Sequence, residues 1–500
     1  MSAQSAVSRF GVTVLANVVR AGCSFAGGMV LARALGASHY GDLSFLLGSF
    51  AAASQLLDGG TSNAFFTLIA ARRRPRAVLA WYGGWLAAQC AILLLVVGVL
   101  LPRPVIERLW VGHQQGIVLV ACAASFVTTQ LWNAVSQLGE AVRRTAMVQC
   151  AVAGQAALHL LLLAIGARHG WLSVSAVFWL LIAEYALLAA AMAPGLLRDN
   201  WIAQDGSRSG HQALWNEFIT YCKPLVLYSW VGCVYAFTDQ WLLQRFGGSA
   251  QQGFFAVAQQ FTVVSLLLTT SVLKVFWKEI VDASERQDQQ QVQRLYLSTA
   301  RWLYVVAAWV SCLVMPYSRE LLGLLLGPAY EASWLCLAML LLYPAHQALG
   351  QIGATFLYAT KQTGAYVWIG IGMMLLSLPT TYLLLAWLKL GAVGLALKLV
   401  VLQWVGVNLQ IAVIARSGGA GFAWRHQFAV LAACAGFGWI CKFVGAAVAG
   451  DQSAGIAMAV GSLLYASGSL AALLRWPRLA SLREQLQWLR FAGKPPAVSA

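Results

Sequence analysis

The sequence predicts an all-α polytopic membrane protein with about fourteen transmembrane helices, each needing roughly 20 apolar residues to cross the hydrocarbon core. Three observations carry this. Sixty per cent of the 500 residues are apolar and only 10% are charged, with a mean hydropathy of +0.70, far from the composition of soluble domains. Apolar stretches of spanning length recur from Phe10 to Leu474 with short polar interruptions. The basic residues fall unevenly between alternate connections.

The spans read as 10–32, 44–70, 79–101, 116–138, 148–166, 173–193, 224–243, 251–273, 302–318, 333–358, 365–387, 391–414, 427–448 and 454–474. The first is read as a retained span and not a cleaved signal, because Arg20 interrupts it and no small-residue cleavage site follows. With a cytoplasmic N-terminus, one set of connections holds about 23 Lys and Arg and the other about 7, which puts both termini in the cytoplasm; a bacterial inner membrane is the expected location. The net charge of +16 is therefore a topology signal with affinity for anionic membrane lipids, and no nucleic-acid partner is expected. Ser481 to Phe491 reads either as a short interfacial helix or as a frayed tail.

Ten cysteines are scattered without C-x-x-C spacing and seven histidines without H-E-x-x-H, so neither a metal nor a cofactor is expected. There is no G-x-x-x-x-G-K-[ST] loop for a nucleotide. The outer loops are short and lack carboxylate pairs, which argues against a membrane glycan polymerase or ligase and for a chain that is not an enzyme.

The polar connection after Pro194 separates six spans from the next six. The chain is thus divided into 1–200, a linker 201–222, 223–415, two further helices 427–474 and a tail 475–500. A repeat supports two halves: Arg33, Gly36 and Gly41 recur as Arg245, Gly248 and Gly253, both R-x-x-G-x-x-x-x-G, at an offset of about 212 residues.

Charges inside spans are costly and mark candidate sites. Thr13, Asn17, Arg20, Ser24 and Gly27 share one helix face, which suits the lining of a wet cavity. Asp58 lies beside Gly59-Gly60, a pair able to break its helix, and a structural alternative joins it to Arg20 as an ion pair. Glu184 is mid-span with no evident local partner, so it reads as a protonatable coupling site or as a neutral hydrogen-bonded acid. Asp58, Glu184 and Asp239 are the ion-coupling candidates. Lys398 and Lys442 are placed to snorkel outward, with Lys398 also a candidate cavity cation. Gln351 belongs to a polar stripe with Tyr343, Gln347 and Tyr358, suited either to sugars or to ordinary interhelical bonds. Tryptophans near span ends, among them Trp81, Trp110, Trp171, Trp201, Trp302 and Trp387, read as interfacial belts.

Leu31-Ala32-Arg33-Ala34-Leu35-Gly36-Ala37-Ser38-His39-Tyr40-Gly41 resembles the L-x-R-x-L-G-x-x-x-Y/F-G signature of polysaccharide flippases. Gln55 to Gly60, Thr238 to Leu243 and Leu326 to Tyr330 are similar to further segments of that family. The resemblance, covering about residues 5 to 475, implies the multidrug/oligosaccharidyl-lipid/polysaccharide exporter superfamily: two six-helix bundles around a central cavity, plus two C-terminal helices. It implies flipping of undecaprenyl-pyrophosphate-linked oligosaccharide to the outer leaflet by alternating access, for O-antigen, capsule or exopolysaccharide, alongside polymerase and export machinery. Asp58 and Asp239 match acidic signature positions, and Arg33 and Arg245 the loop arginines. The substrate contacts expected are Arg20, Asn17, Asp58, Asp239, Lys398 and Gln351. A multidrug/cation antiporter of the same fold is the alternative. A lipid II flippase is less expected, because Arg20 is the one central arginine.

Overall fold

The computed structural model describes residues 3–71, 76–142, 144–197, 208–416, 424–450 and 454–475, and all regular structure among them is helical. The 481–491 segment, Trp201 and the basic run 72–74 lie outside the described residues. In chain order the helices are α1 (Ala3–Asp58), α2 (Thr61–Ala71), α3 (Arg76–Leu95), α4 (Arg103–Leu109), α5 (Gln115–Phe126), α6 (Trp132–Ala141), α7 (Thr145–His169), α8 (Val174–Leu197) and α9 (Arg208–Leu242). They continue as α10 (Ser249–Glu285), α11 (Gln289–Val314), α12 (Ser318–Leu326), α13 (Trp334–Leu340), α14 (Tyr343–Ala359), α15 (Thr363–Tyr382), α16 (Gly391–Arg416), α17 (Trp424–Ala449) and α18 (Ala454–Arg475).

Eleven helical runs among the described residues are long and apolar enough to cross a membrane. The run Gly11–Asp58 contains the first expected span and much of the second, joined through a kink at Gly36. The expected spans 224–243 and 251–273 fall in α9 and α10, which are not among the eleven. Outward-facing side chains are those hydrocarbon accepts, such as Leu15, Val99, Leu187 and Leu463.

Helix ends and breaks follow local chemistry. Four one-turn π segments interrupt the helical runs, at Val96–Leu100, Val127–Leu131, Leu243–Gly247 and Leu383–Trp387. Pro344 occupies the first turn of α14, so the expected span 333–358 is bent at Leu341 and Leu342. Asp288 starts α11 by accepting a 3.0 Å bond from the Gln291 amide. The expected linker is partly helical, since α9 begins at Arg208.

The chain forms two compact units. The first comprises Met1–Ala256 and Thr381–Gly391. Its core gathers Phe65, Tyr82, Trp132, Val148, Leu196 and Phe218, with Phe65 and Tyr82 stacked at 3.8 Å between ring centroids, a contact adding about 0.5–1.5 kcal/mol beyond burial. The second comprises Val257–Thr380 and Ala392–Ala500. Its core sets Tyr296, Tyr304, Ala345, Leu349, Ile352 and Phe356 together. There α17 packs closely on α18: a Cβ at Gly445 would lie 2.7 Å from the Ala457 carbonyl oxygen.

Trp110 is not a belt residue. It is 5% exposed, stacks on Phe50 and donates to Ser49 Oγ at 3.1 Å. Trp387 and Trp171 are exposed, as the belt reading requires.

Candidate functional site

In the first unit α1 carries Arg20 with its side chain exposed, flanked by half-buried Thr13 and Asn17 and exposed Ser24. A guanidinium within a 48-residue apolar run needs water or an anion beside it. Gly27, further along the same stripe, is buried against Leu163 of α7.

Asp58 is occupied by its own turn. After α1 the chain breaks at Gly59 and Gly60, both at positive φ (50° and 89°), as the glycine pair predicted. The Asp58 carboxylate then receives the Gly60 and Ser62 amides and the Thr61 and Ser62 hydroxyls at 2.9–3.2 Å, capping α2. Trp85 of α3 steadies this break through a 3.2 Å bond to Thr61 Oγ1. Gly60 also admits α9, since a Cβ there would lie 2.7 Å from Leu225.

Glu184 does have partners. Gln155 Nε2 donates to its Oε2 at 2.9 Å, and His159 Nδ1 lies 2.9 Å from the same oxygen. Both come from α7, 29 and 25 residues earlier, a distance in sequence that hides them from helical-face reasoning. Glu184 is 7% exposed, and its Oε1 is buried without a hydrogen-bond partner.

Asp239 is buried on α9 and accepts a 2.7 Å bond from Thr381 Oγ1. Beyond it the two copies of the repeat come together. Gly36 and Gly248 adopt nearly the same conformation (φ 73°, ψ 169° and φ 81°, ψ 171°), one that favours glycine. Arg33 and Arg245 are exposed. Gly41 and Gly253 pack against the opposite copy.

Beside these glycines stands a charged node that sequence reasoning missed. Asp42 Oδ1 accepts from Ser249 Oγ at 2.6 Å and Gln244 Nε2 at 3.0 Å, and pairs with His113 Nε2 at 3.3 Å. His113 Nδ1 meets the Trp110 carbonyl. Burial of His113 opposes its charged form, but the Asp42 carboxylate and the Trp110 carbonyl outweigh it and hold the imidazole pKa above its ordinary value.

In the second unit Lys398 does not snorkel. It is 1% exposed and donates to Ser377 Oγ at 2.9 Å. Lys442 is paired: its ammonium meets Glu320 at 2.6 Å and the Pro316 carbonyl at 2.7 Å, near the Tyr317 and Trp439 rings. Gln351 lies half-buried on α14, where its backbone carbonyl accepts from the Thr355 hydroxyl; Tyr343 donates to Gln347 at 3.1 Å along the same stripe.

Apolar helices of spanning length, polar groups within them and a glycine-kinked repeat define a polytopic membrane protein. Its structure is similar to one described as the lipid II flippase MurJ in an inward closed conformation, with a TM-score of 0.71 at 12% identity, covering 93% of this chain and 99% of that one. It is also similar to an inward-facing multidrug resistance MATE family transporter of the MOP superfamily (TM-score 0.61, 14% identity, 79% and 93% covered). A MOP superfamily transporter from Pyrococcus furiosus, described as having a binding pocket of reverse polarity, follows (0.54, 12%, 81% and 93%). These likenesses show the fold. No curated protein matches the sequence. Residues 7–277 match the family described as polysaccharide biosynthesis protein, and the chain belongs to that family.

Proposed function

We propose that this protein is a flippase that moves undecaprenyl-pyrophosphate-linked oligosaccharide from the cytoplasmic to the outer leaflet for polysaccharide export, with both termini in the cytoplasm of an inner-membrane protein. Family membership and fold support transport of a glycan intermediate. The observation that carries the anionic, lipid-linked substrate is Arg20: an exposed guanidinium within an apolar run, beside the amide of Asn17 and the hydroxyl of Thr13. A diphosphate offers such a cation charge-assisted bonds in a low-dielectric setting, and sugar hydroxyls suit the neighbouring amide and hydroxyl groups.

Translocation needs no covalent step on this reading. The head group is held, exposed by alternating access and released, while the lipid tail stays in the bilayer. Asp58, already committed to the α2 N-terminus, serves structure on this reading more than ion coupling. Glu184 is the better coupling candidate.

Deleting the gene in its host and quantifying lipid-linked oligosaccharide by leaflet tests the proposal. Intermediates stranded on the cytoplasmic leaflet with loss of surface polymer support it. Normal glycolipids with altered drug sensitivity would transfer the assignment to a cation antiporter.

A further inference from the structure

In the first unit α3 and α9 line one groove. The α3 wall is Trp81, Gly84, Trp85 and Ala88, at the i, i+3, i+4 and i+7 spacing of a single helix face, and the α9 wall includes Trp215, Phe218, Ile219 and Lys223. The cavity between them measures about 730 Å³. Contacts on either side of it hold the two helices. On one side Gly60 admits Leu225 of α9, and Trp85 of α3 is bonded to Thr61 at the same break. On the other, the Trp81 ring stands edge-on to Trp215 and Phe218, with centroids 4.9 and 4.8 Å apart. Gly84 lies between these contacts along α3, and a Cβ there would meet nothing within 4 Å.

An apolar gap of this kind offers water too few polar partners, and left empty it forfeits dispersion contacts along its whole lining. Trp81, Trp215 and Ile219 are 39%, 47% and 43% exposed, so the groove is open to its surroundings. Because α3 belongs to a helical run of spanning length, those surroundings are lipid chains.

Lys223 sets the chemistry of the head group. It is exposed, and among the described residues lining the groove it is the one charged side chain. The acids of the flanking sequence do not answer it: Asp58 is held by four donors, and neither Glu217 nor Asp239 of α9 is part of the lining. Lys223 immediately precedes the expected span 224–243, and Trp81 stands at the start of 79–101. Both therefore fall at one membrane interface, the cytoplasmic one on the topology proposed above, where a basic group beside a cleft between helices attracts anionic lipid.

We propose that this groove binds an anionic phospholipid, which lays an acyl chain along Gly84 and Ala88 and sets its phosphate against Lys223. The site does not depend on what the protein transports; only its assignment to the cytoplasmic leaflet rests on the proposed topology.

The test uses the full chain in phosphatidylcholine vesicles holding a trace of phosphatidylglycerol or phosphatidylcholine with a photoreactive diazirine on one acyl chain. Labelled peptides are mapped by mass spectrometry. Phosphatidylglycerol should label the 81–88 and 215–226 segments about fivefold more than phosphatidylcholine does, the preference one lysine at the surface confers. Lys223→Gln should bring the two lipids level, Lys223→Arg should keep the preference, and Gly84→Leu, which fills the groove, should remove labelling of both segments by either lipid. Equal labelling by the two lipids in the wild type, or a preference that survives Lys223→Gln, overturns the proposal. Labelling unchanged in Gly84→Leu overturns it as well. Unlabelled undecaprenyl phosphate that suppresses labelling at lower concentration than unlabelled phosphatidylglycerol would overturn the phospholipid assignment and give the groove to an isoprenoid tail. Loss of flipping activity with labelling intact would count against the proposed function and leave this site standing.

Discussion

Gly41 and Gly253 face each other across equivalent copies of one motif: a Cβ on Gly41 would run into the Ser249 carbonyl, and a Cβ on Gly253 would run into the Ala37 carbonyl. Ser249 is to Gly253 what Ala37 is to Gly41, so the contact is reciprocal, as a two-fold relation between the copies requires.

Replacing either glycine with alanine forces backbone apart, which typically costs about 1–3 kcal/mol for overpacking. Gly41→Ala and Gly253→Ala should each lower the thermal unfolding midpoint in detergent. Gly22→Ala, where a Cβ meets nothing within 4 Å, should leave it unchanged or raised. Equal behaviour of all three would show that the close approach is not structural.

Asp58→Ala removes the cap of α2 and should cost about 1–2 kcal/mol. Asp58→Asn retains an oxygen that accepts from the Ser62 amide and should recover most of that loss. Thermal unfolding of the pair separates capping from coupling, because a coupling carboxylate would not be replaced by an amide.

The pH dependence of stability follows from His113. Its folded pKa is raised above the ordinary value of about 6.5, so its contribution is fully present below that value and is lost as pH rises through the raised one. The unfolding midpoint should therefore fall across this window, and Asp42→Asn should flatten the fall. A midpoint rising over the same range in the wild type would contradict the assignment.

Elements set by local chemistry were legible in the sequence. The R-x-x-G-x-x-x-x-G repeat marked two equivalent segments, and Gly36 and Gly248 within them adopt nearly the same conformation. The Gly59-Gly60 pair predicted a break after Asp58, and the chain breaks there. Partners distant in sequence were not legible. His159 and Gln155 reach Glu184 from another helix, and Asp42 gathers His113, Gln244 and Ser249 from three segments. Lys398 misled in a different way: its long stem suggested an escape to the interface, but the ammonium is held inside by Ser377.

The most direct measurement of the central claim is flipping in reconstituted vesicles. Undecaprenyl-pyrophosphate-linked oligosaccharide is placed in one leaflet and its arrival in the other is followed with a membrane-impermeant glycosidase. The account predicts protein-dependent transfer that Arg20→Ala slows at least about tenfold, the loss expected when a charged hydrogen bond of about 1.5–3 kcal/mol is removed. Transfer no faster than in protein-free vesicles, or unaffected by Arg20→Ala, would contradict it.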